Sequence, residues 1–315
     1  MDILQRNYPI PVQPTWDIHD ATKLNTFKLC PRLYFFEYVL GWKEEAVNLH
    51  LEFGKAWHLA MRHLTINGCS SSSIAEAAAM FSNHYSEYFS TEHEEQNAPK
   101  NMANGIHALA EYGAQYPNDR FTVLFTEVPG SVPLAEGKTL HFKIDAVLRD
   151  EKGIFAMEHK TGSRDSAAWR AQWQTAMQPS LYTHALRCHY GDSVWGCMIN
   201  GTLLRKKGNL HVRIPIRKSN EVMQTWMWNT INELEMLDWE FGRLSTCKIS
   251  DPVMFAFPMR EVNCTKWFPC PFLPYCTSPE WTNPLTKAEQ PPSGFVVDHW
   301  NPMDKREGAE KTMDL

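Results

Sequence analysis

The chain lacks any run of 18 uncharged apolar residues, so no membrane-spanning helix is expected. The segment Met1–Gln13 has no basic-then-apolar pattern; it carries prolines instead, so it does not read as an export signal and an intracellular protein is expected. There is no surplus of positive charge. Lys and Arg number 31 against 36 Asp and Glu, a net charge of −5, which excludes a surface that is basic all over. Any phosphate-rich partner must therefore meet a local basic patch. No fixed-period repeat is visible. What is present is a 315-residue chain with 43% hydrophobic residues, enough core for one large domain or one domain with an insertion. Eight cysteines in an intracellular chain argue against disulfides and toward free thiols or metal ligands.

Residues 1–20 read as an extended arm. Asp20 or Thr22 is placed to cap a helix running to about Leu40, where Gly41 ends it. Further helices are expected over about Leu49–Thr65, Ile74–Phe89 and Met102–Tyr116, with a solvated polar stretch at Thr91–Lys100. Strand-like runs follow at Phe121–Val128, Leu140–Leu148 and Ile154–His159, the last two separated by a charged turn ending in Gly153. A helical stretch covers about Ser166–His189. Pro179 either kinks it or opens the first turn of a second helix. Val194–Leu204 and Leu210–Arg217 suggest a hairpin, and Glu221–Leu244 a long amphipathic helix. Beyond Lys248 the chain is rich in Cys and Pro. From residue 284 it is polar and expected to be mobile. Helices, strands, helix, strands, helix in that order predict an α/β fold with an N-terminal helical insertion at about residues 66–118.

The most informative feature is Ile144-Asp145 followed by Glu158-His159-Lys160 on the next strand. Strand alternation puts Glu158 and Lys160 on one face and His159 on the other. Asp145 sits in an apolar run, where a charge is costly unless paired or bound to metal. Two carboxylates brought close would force one to take up a proton. A hard divalent cation removes that conflict, and Lys160 could then orient or help deprotonate a metal-bound water, or stabilise charge building nearby. The alternative is a solvent-facing hairpin that happens to carry these residues.

These residues resemble the PD-(D/E)xK nuclease superfamily in its RecB-like branch, the type that includes phage exonucleases and CRISPR-associated adaptation nucleases. The likeness extends from Leu24 to Cys276, in order. Leu24–Tyr34, with Cys30-Pro31, resembles the branch's N-terminal helix, Gly54-x3-His58 its first motif and Gln178-x3-Tyr182 its last. The resemblance implies a restriction-endonuclease-like mixed central sheet flanked by helices. The nuclease domain would span 21–283, with a cysteine cluster at 264–276 and a polar tail at 284–315. It implies a Mg²⁺- or Mn²⁺-dependent deoxyribonuclease acting on ends or single strands without sequence specificity. Its metal ligands would be His58, Asp145, Glu158 and the backbone carbonyl of His159, with Asp145, Glu158, Lys160, Gln178 and Tyr182 catalytic. The implied partners are DNA and other replication, recombination or CRISPR proteins, with no membrane. The implied location is the cytoplasm, in a bacterial or phage-encoded setting.

Taken alone, His58 among Phe53, Trp57 and Met61 also reads as a satisfied core histidine. Gln178 and Tyr182, four apart on a helix, could bond a nucleic-acid backbone, orient Lys160, or be a surface amide over a half-buried ring. Gln174 is the fallback donor. Glu127 resembles a supporting glutamate on the branch's first strand.

Cys264-x5-Cys270-x5-Cys276 is flanked by Pro269, Pro271 and Pro274 and has no regular period. Such a segment has little to fold around except a ligand. Thiolates take zinc or an iron–sulfur cluster, and three are one short. The resemblance implies Cys30 as the fourth ligand of a 4Fe–4S cluster; zinc and free thiols stay open. The branch's usual spacing has two residues between the first C-terminal pair, and here there are five.

For phosphates, the second hairpin clusters Arg205, Lys206, Lys207, His211, Arg213, Arg217 and Lys218. Arg164 and Arg170 lie just past the catalytic hairpin. Trp169 and Trp173 could stack on unpaired bases or belong to the core. No base-reading motif is present. The competing reading is a catalytically inactive iron–sulfur or zinc module that binds DNA or a protein on the same scaffold.

Overall fold

The computed structural model describes residues 3–90, 92, 95–266, 269–306 and 311–315. Parts of the expected arm (1–2), of the polar stretch (91, 93–94), of the cysteine segment (267–268) and of the tail (307–310) lie outside them. In chain order the elements are α1 (Ala21–Leu29), α2 (Pro31–Tyr34), β1 (Trp42–Glu44), α3 (Leu49–Asn67), α4 (Ser71–Tyr88) and α5 (Met102–Gln115). Then come β2 (Thr122–Ala135), β3 (Lys138–Asp150), β4 (Gly153–Gly162), α6 (Ala167–Thr175), α7 (Met177–Tyr190), β5 (Val194–Leu203) and β6 (Leu210–Ile216). The chain closes with α8 (Asn220–Leu244), α9 (Leu273–Cys276), β7 (Phe295–Val297) and β8 (Met313–Asp314).

These elements form two compact units. One comprises Met1–Ala46, Ser131–Phe142 and Gln224–Glu307, the other Val47–Gly130, Lys143–Met223 and Gly308–Leu315.

The second unit holds the greater part of a six-stranded sheet of order β6-β5-β4-β3-β2-β8. It is mixed: β3 and β4 are antiparallel, β4 and β5 parallel, β5 and β6 antiparallel. A parallel neighbour needs a crossover, and α6 and α7 supply it. β4 is buried from Ile154 to His159, the near-continuous burial of a strand covered on both faces. The helical stretch over 166–189 is two helices, so of the two roles open to Pro179 it takes the one of opening a second helix. Ala176 is extended at ψ 144°, and Pro179 sits in the first turn of α7, where its missing N–H costs nothing.

The helical part of this unit is α3 to α5, of which α4 and α5 fall within the insertion expected at about 66–118. Asn48, Ser70 and Asn101 cap them, each side chain accepting from backbone amides of the first turn. Their shared core is Phe53, Trp57, Phe81, Tyr85, Leu109 and Tyr112. Gly105 lets α5 come close: a Cβ there would stand 2.3 Å from the Phe81 ring. β8 lies at the sheet edge beside β2 with Met313 buried, so the far end of the tail is part of the fold rather than mobile.

In the first unit, Asp20 caps α1 by accepting from Lys23 N–H at 2.9 Å. The helix expected to reach Leu40 breaks at Cys30, which is extended (φ −162°, ψ 115°), because Pro31 disfavours helical geometry in the residue before it. The chain resumes as α2 and then one π turn over Phe35–Val39. The arm is not simply extended. Trp16 is fully buried against Phe241, with its indole N–H on the Val39 carbonyl. The expected mobile tail is pinned in this unit too, since Phe295–Val297 pairs antiparallel with Trp42–Glu44 and Leu285 is buried. Among the described residues no helix is long and apolar enough to cross a membrane.

Candidate active site

The β3–β4 register runs from Asp150↔Gly153 to Ala146↔Met157. One step further Asp145 and Glu158 are the next residues in register. There the Asp145 carboxylate, not a backbone carbonyl, takes the His159 N–H at 2.8 Å. That bond fixes the carboxylate with Oδ1 turned toward α3. His58 on α3 meets it, Nδ1 to Oδ1 at 3.2 Å. Glu127 on β2 completes a group whose potential ligand atoms all lie within 4.8 Å of one another: His58, Glu127 and Asp145. Glu127 has φ 52°, a left-handed conformation unusual for a residue with a Cβ and of the strained kind found at functional sites. Lys143, two residues before Asp145, bonds the other side of Glu127 at 2.6 Å.

Glu158 and Lys160 share a face of β4, and Lys160 Nζ lies 2.5 Å from Glu158 Oε1. Lys160 also donates to Gln178 Oε1 at 2.8 Å. Gln178 donates to Tyr182 Oη at 3.3 Å, and Tyr182 donates to the Lys143 carbonyl at 2.8 Å. The four-residue spacing on α7 therefore makes a relay that points Lys160. Tyr182 is buried and reaches the backbone of β3, so it acts through Gln178. The ring of His159 is buried, 3.0 Å from Asn200 Nδ2 and edge-on to the His58 ring with centroids 6.0 Å apart. Gln174 is exposed and takes no part in the relay.

The electrostatics follow from burying two acids together. Burial and then the Asp145 charge push the Glu158 carboxyl up to about 7 against the pull of Lys160 and His58. Burial opposes the Asp145 carboxylate too, but the His58 charge and hydrogen bond outweigh it and hold that carboxyl well below the usual range. Burial alone would depress His58; Asp145 and its hydrogen bond raise it to about 9. Burial works against the Lys160 ammonium, and the Glu158 charge and hydrogen bond more than offset it. Burial takes His159 down to about 4.

The residues fit a hard divalent cation. Glu158 Oε2 is buried and has no hydrogen-bond partner among the described residues, a state that leaves a carboxylate oxygen in need of a cation or a proton. The donor set is one imidazole and two or three carboxylates, oxygen-rich as Mg²⁺ and Mn²⁺ prefer. The sequence singled out His58, Asp145 and Glu158 as ligands. The structure places His58 and Asp145 in contact, brings Glu127 in with them, and turns Glu158 toward Lys160. Lys143 gave a usable signal: with Asp145 it forms a Lys-x-Asp on one strand face.

The basic residues divide sharply. Lys206 and Lys207 are exposed at the β5–β6 turn, Arg164 is exposed, and Arg205 is half-buried. Arg170 is exposed and bidentate to Asp165. Arg213 is committed inward: it bonds Asp119 at 2.5 and 2.7 Å and the Tyr112 hydroxyl at 2.8 Å, and its guanidinium stacks 3.8 Å from the Tyr116 ring centroid. Its donors are used within the protein, which corrects its placement in a phosphate-binding patch. His211 and Lys218 are likewise buried, on Thr202 and Ser180. Trp169 is half-buried and packs where Gly201 leaves room, 2.5 Å from a would-be Cβ.

In the first unit, Cys30, Cys264, Cys270 and Cys276 are free thiols. Arg260 N–H donates to Cys30 Sγ at 3.4 Å. Burial raises the Cys276 thiol to about 11, with Arg32 pulling it down and the other three cysteines adding to the rise; among the described residues no three of these four sulfurs lie within 4.8 Å of one another.

The sequence profile of the PD-(D/E)XK nuclease superfamily matches residues 21–277, and the chain belongs to that superfamily. The mixed six-stranded sheet with flanking helices is the restriction-endonuclease-like fold of that family. One solved structure, described as the crystal structure of SSO0001, matches at 14% identity over 58% of this chain and 74% of that one. Its TM-score is 0.28, too low to carry a structural argument. No curated protein matches the chain.

Proposed function

We propose that this protein is a Mg²⁺- or Mn²⁺-dependent deoxyribonuclease of the RecB-like type that works on DNA ends or single strands without sequence preference. The observation that carries the reading is the orphaned Glu158 Oε2 beside a His58–Asp145–Glu127 group. Acids buried this close need a cation. His58, Glu127 and Asp145 would hold the ion with Glu158 beside them, and the His159 carbonyl remains a further candidate ligand. A bound ion would polarise the phosphodiester and supply an activated water.

The chain's own residues do the rest. The His159 N–H holds Asp145 in one orientation. Gln178 and Tyr182 aim the Lys160 ammonium, which stabilises negative charge growing on the phosphate oxygens. Hydrolysis forms a P–O bond to water and breaks the P–O3′ bond, and the leaving oxygen takes a proton to become a 3′-hydroxyl. Backbone recognition would come from Arg164, Arg205, Lys206 and Lys207, with Arg170 released from Asp165.

The RecB-like resemblance carries the proposal of a 4Fe–4S cluster tying Cys30 to the 264–276 segment, with zinc as the other metal that thiolates accept; among the described residues these sulfurs do not yet form a group close enough to hold an ion. Incubating end-labelled linear DNA and circular DNA with the protein in Mn²⁺ or Mg²⁺ tests the activity. Loss of label from linear DNA only, abolished by EDTA, supports an exonuclease. Cleaved circles point to an endonuclease. Intact DNA under every condition, from protein that binds Mn²⁺, refutes the enzymatic reading and leaves the inactive-module alternative.

A further inference from the structure

Lys100 is a cation the catalytic arrangement does not use. It stands in the segment that joins α4 to α5. Its Nζ lies 3.4 Å from Thr161 Oγ1 and 5.9 Å from the centroid of the Phe53 ring. Among the described residues no carboxylate pairs with it, and burial pushes its ammonium down with no anion to offset the shift. A half-buried cation without a counter-charge is costly when alone and suited to an anion arriving from solution.

Its position connects two features that are otherwise separate. Thr161 follows Lys160 on β4, its side chain on the face opposite Glu158 and Lys160, and lies three residues past Glu158. At ~3.3 Å per strand residue that is about 10 Å. β4 and its parallel neighbour β5 end side by side, with Leu204 N–H donating to the Gly162 carbonyl at 2.8 Å. The loops that carry Arg164 and Arg205 leave from that same end, where ligands of open α/β sheets gather. The Lys100 segment is clasped to this end. Asn104 donates to the carbonyls of Pro99 at 2.8 Å and Arg205 at 3.3 Å. Asn209, just after the Lys206-Lys207-Gly208 turn, donates to Asn104 Oδ1 at 3.0 Å. One amide clasp therefore fixes the Lys100 segment to the basic turn, while the ammonium of Lys100 reaches back to the strand that carries Lys160.

We propose that Lys100, supplied by the helical insertion, is a substrate-positioning residue that grips a DNA backbone phosphate a few nucleotides from the scissile one and so joins Lys160 to the Lys206–Lys207 turn in one track. An offset of about 10 Å corresponds to about three nucleotides at an axial rise of ~3.4 Å. The inference rests on the nuclease reading above. It gives the insertion a function: α3 delivers His58, and the insertion that follows it extends the strand path.

The test uses the full-length protein with its metals, an end-labelled single-stranded oligonucleotide, and the variants Lys100→Gln and Lys100→Arg. Lys100→Gln is expected to raise Kd and KM by about 3–10-fold at low salt with kcat within about twofold. It should also reduce the salt slope of binding by about 0.7, the loss of one phosphate contact on a single strand. Lys100→Arg restores both, which a merely structural role would not require. In the unaltered protein, reductive methylation of Lys100 should be blocked by the oligonucleotide; this readout does not depend on a variant folding. Unchanged Kd and salt slope in Lys100→Gln, or equal labelling with and without DNA, would overturn the inference while wild-type cleavage left the nuclease reading standing. Wild-type protein that neither binds nor cuts DNA removes both.

Discussion

Lys160 is gripped from two sides, 2.5 Å from Glu158 Oε1 and 2.8 Å from Gln178 Oε1. One contact comes from the same strand two residues away, and the other from α7. The ammonium thus has one orientation before any substrate arrives, as electrostatic preorganisation requires.

Replacing Lys160 by Met should lower kcat by about 10²–10³-fold, the usual cost of removing one preorganised charge stabiliser. Gln178→Ala loosens the ammonium without removing it, so about a tenfold loss in kcat with little change in KM is expected. Steady-state cleavage of a labelled oligonucleotide, with thermal melting as the folding control, separates the two. Equal losses in both variants would mean that Gln178 touches the substrate itself.

Metal affinity should depend on pH through His58. Its imidazolium persists to about 9 because it faces Asp145. A cation must displace that proton, since only the neutral ring has a lone pair to offer. Mn²⁺ binding at pH 7 should therefore release close to one proton from His58, and affinity should rise up to about pH 9. Isothermal titration in buffers of different ionisation enthalpy measures the release. His58→Ala should weaken binding at high pH and flatten its dependence on pH.

Two buried neutral histidines away from the metal site predict acid lability. Burial holds His211 at about 4 and His19 at about 3. The unfolded chain takes up these protons near 6.5. Their contribution to stability is thus complete above about pH 6.5 and is lost progressively as pH falls toward the folded values. His211→Gln should cost about 1 kcal/mol at pH 7 by disturbing the bond with Thr202, and this deficit should shrink as pH falls to 4. Urea titrations at several pH values give the curve; a deficit that grows toward pH 4 contradicts it.

The cysteine site has a spectroscopic test. Freshly purified protein with a cluster on Cys30, Cys264, Cys270 and Cys276 should be brown, with broad absorption at about 400 nm. Cys270→Ser should lose the colour and lower the melting temperature of the first unit. Colourless protein with one equivalent of zinc assigns zinc instead, and metal-free colourless protein leaves the thiols free.

The site's core could be read in the sequence because its logic is local. Alternation in β4 puts Glu158 and Lys160 on one face, and a four-residue helical step stacks Gln178 on Tyr182. What could not be read depends on partners far away in sequence. Arg213 looked free for phosphate until Asp119, 94 residues earlier, took its guanidinium. Glu127 was singled out from the sequence as a supporting acid, but its place in one group with His58 and Asp145 depends on β2 pairing with β3 and on its left-handed backbone, neither of which has a sequence signature. The break at Cys30 was visible in Pro31, whose restriction on the preceding residue outweighs the helical pattern. The strand Phe295–Val297 is β-prone but only three residues long within a polar tail, too short a run for alternation to announce it.

Diffraction from a crystal soaked in Mn²⁺, collected where manganese scatters anomalously, tests the central claim most directly. One strong anomalous peak is expected within about 2.0–2.6 Å of a His58 ring nitrogen and of oxygens from Asp145 and at least one of Glu127 and Glu158. A fully occupied Mn²⁺ elsewhere, with His58 still paired to Asp145 and Glu158 Oε2 still unpartnered, would contradict it.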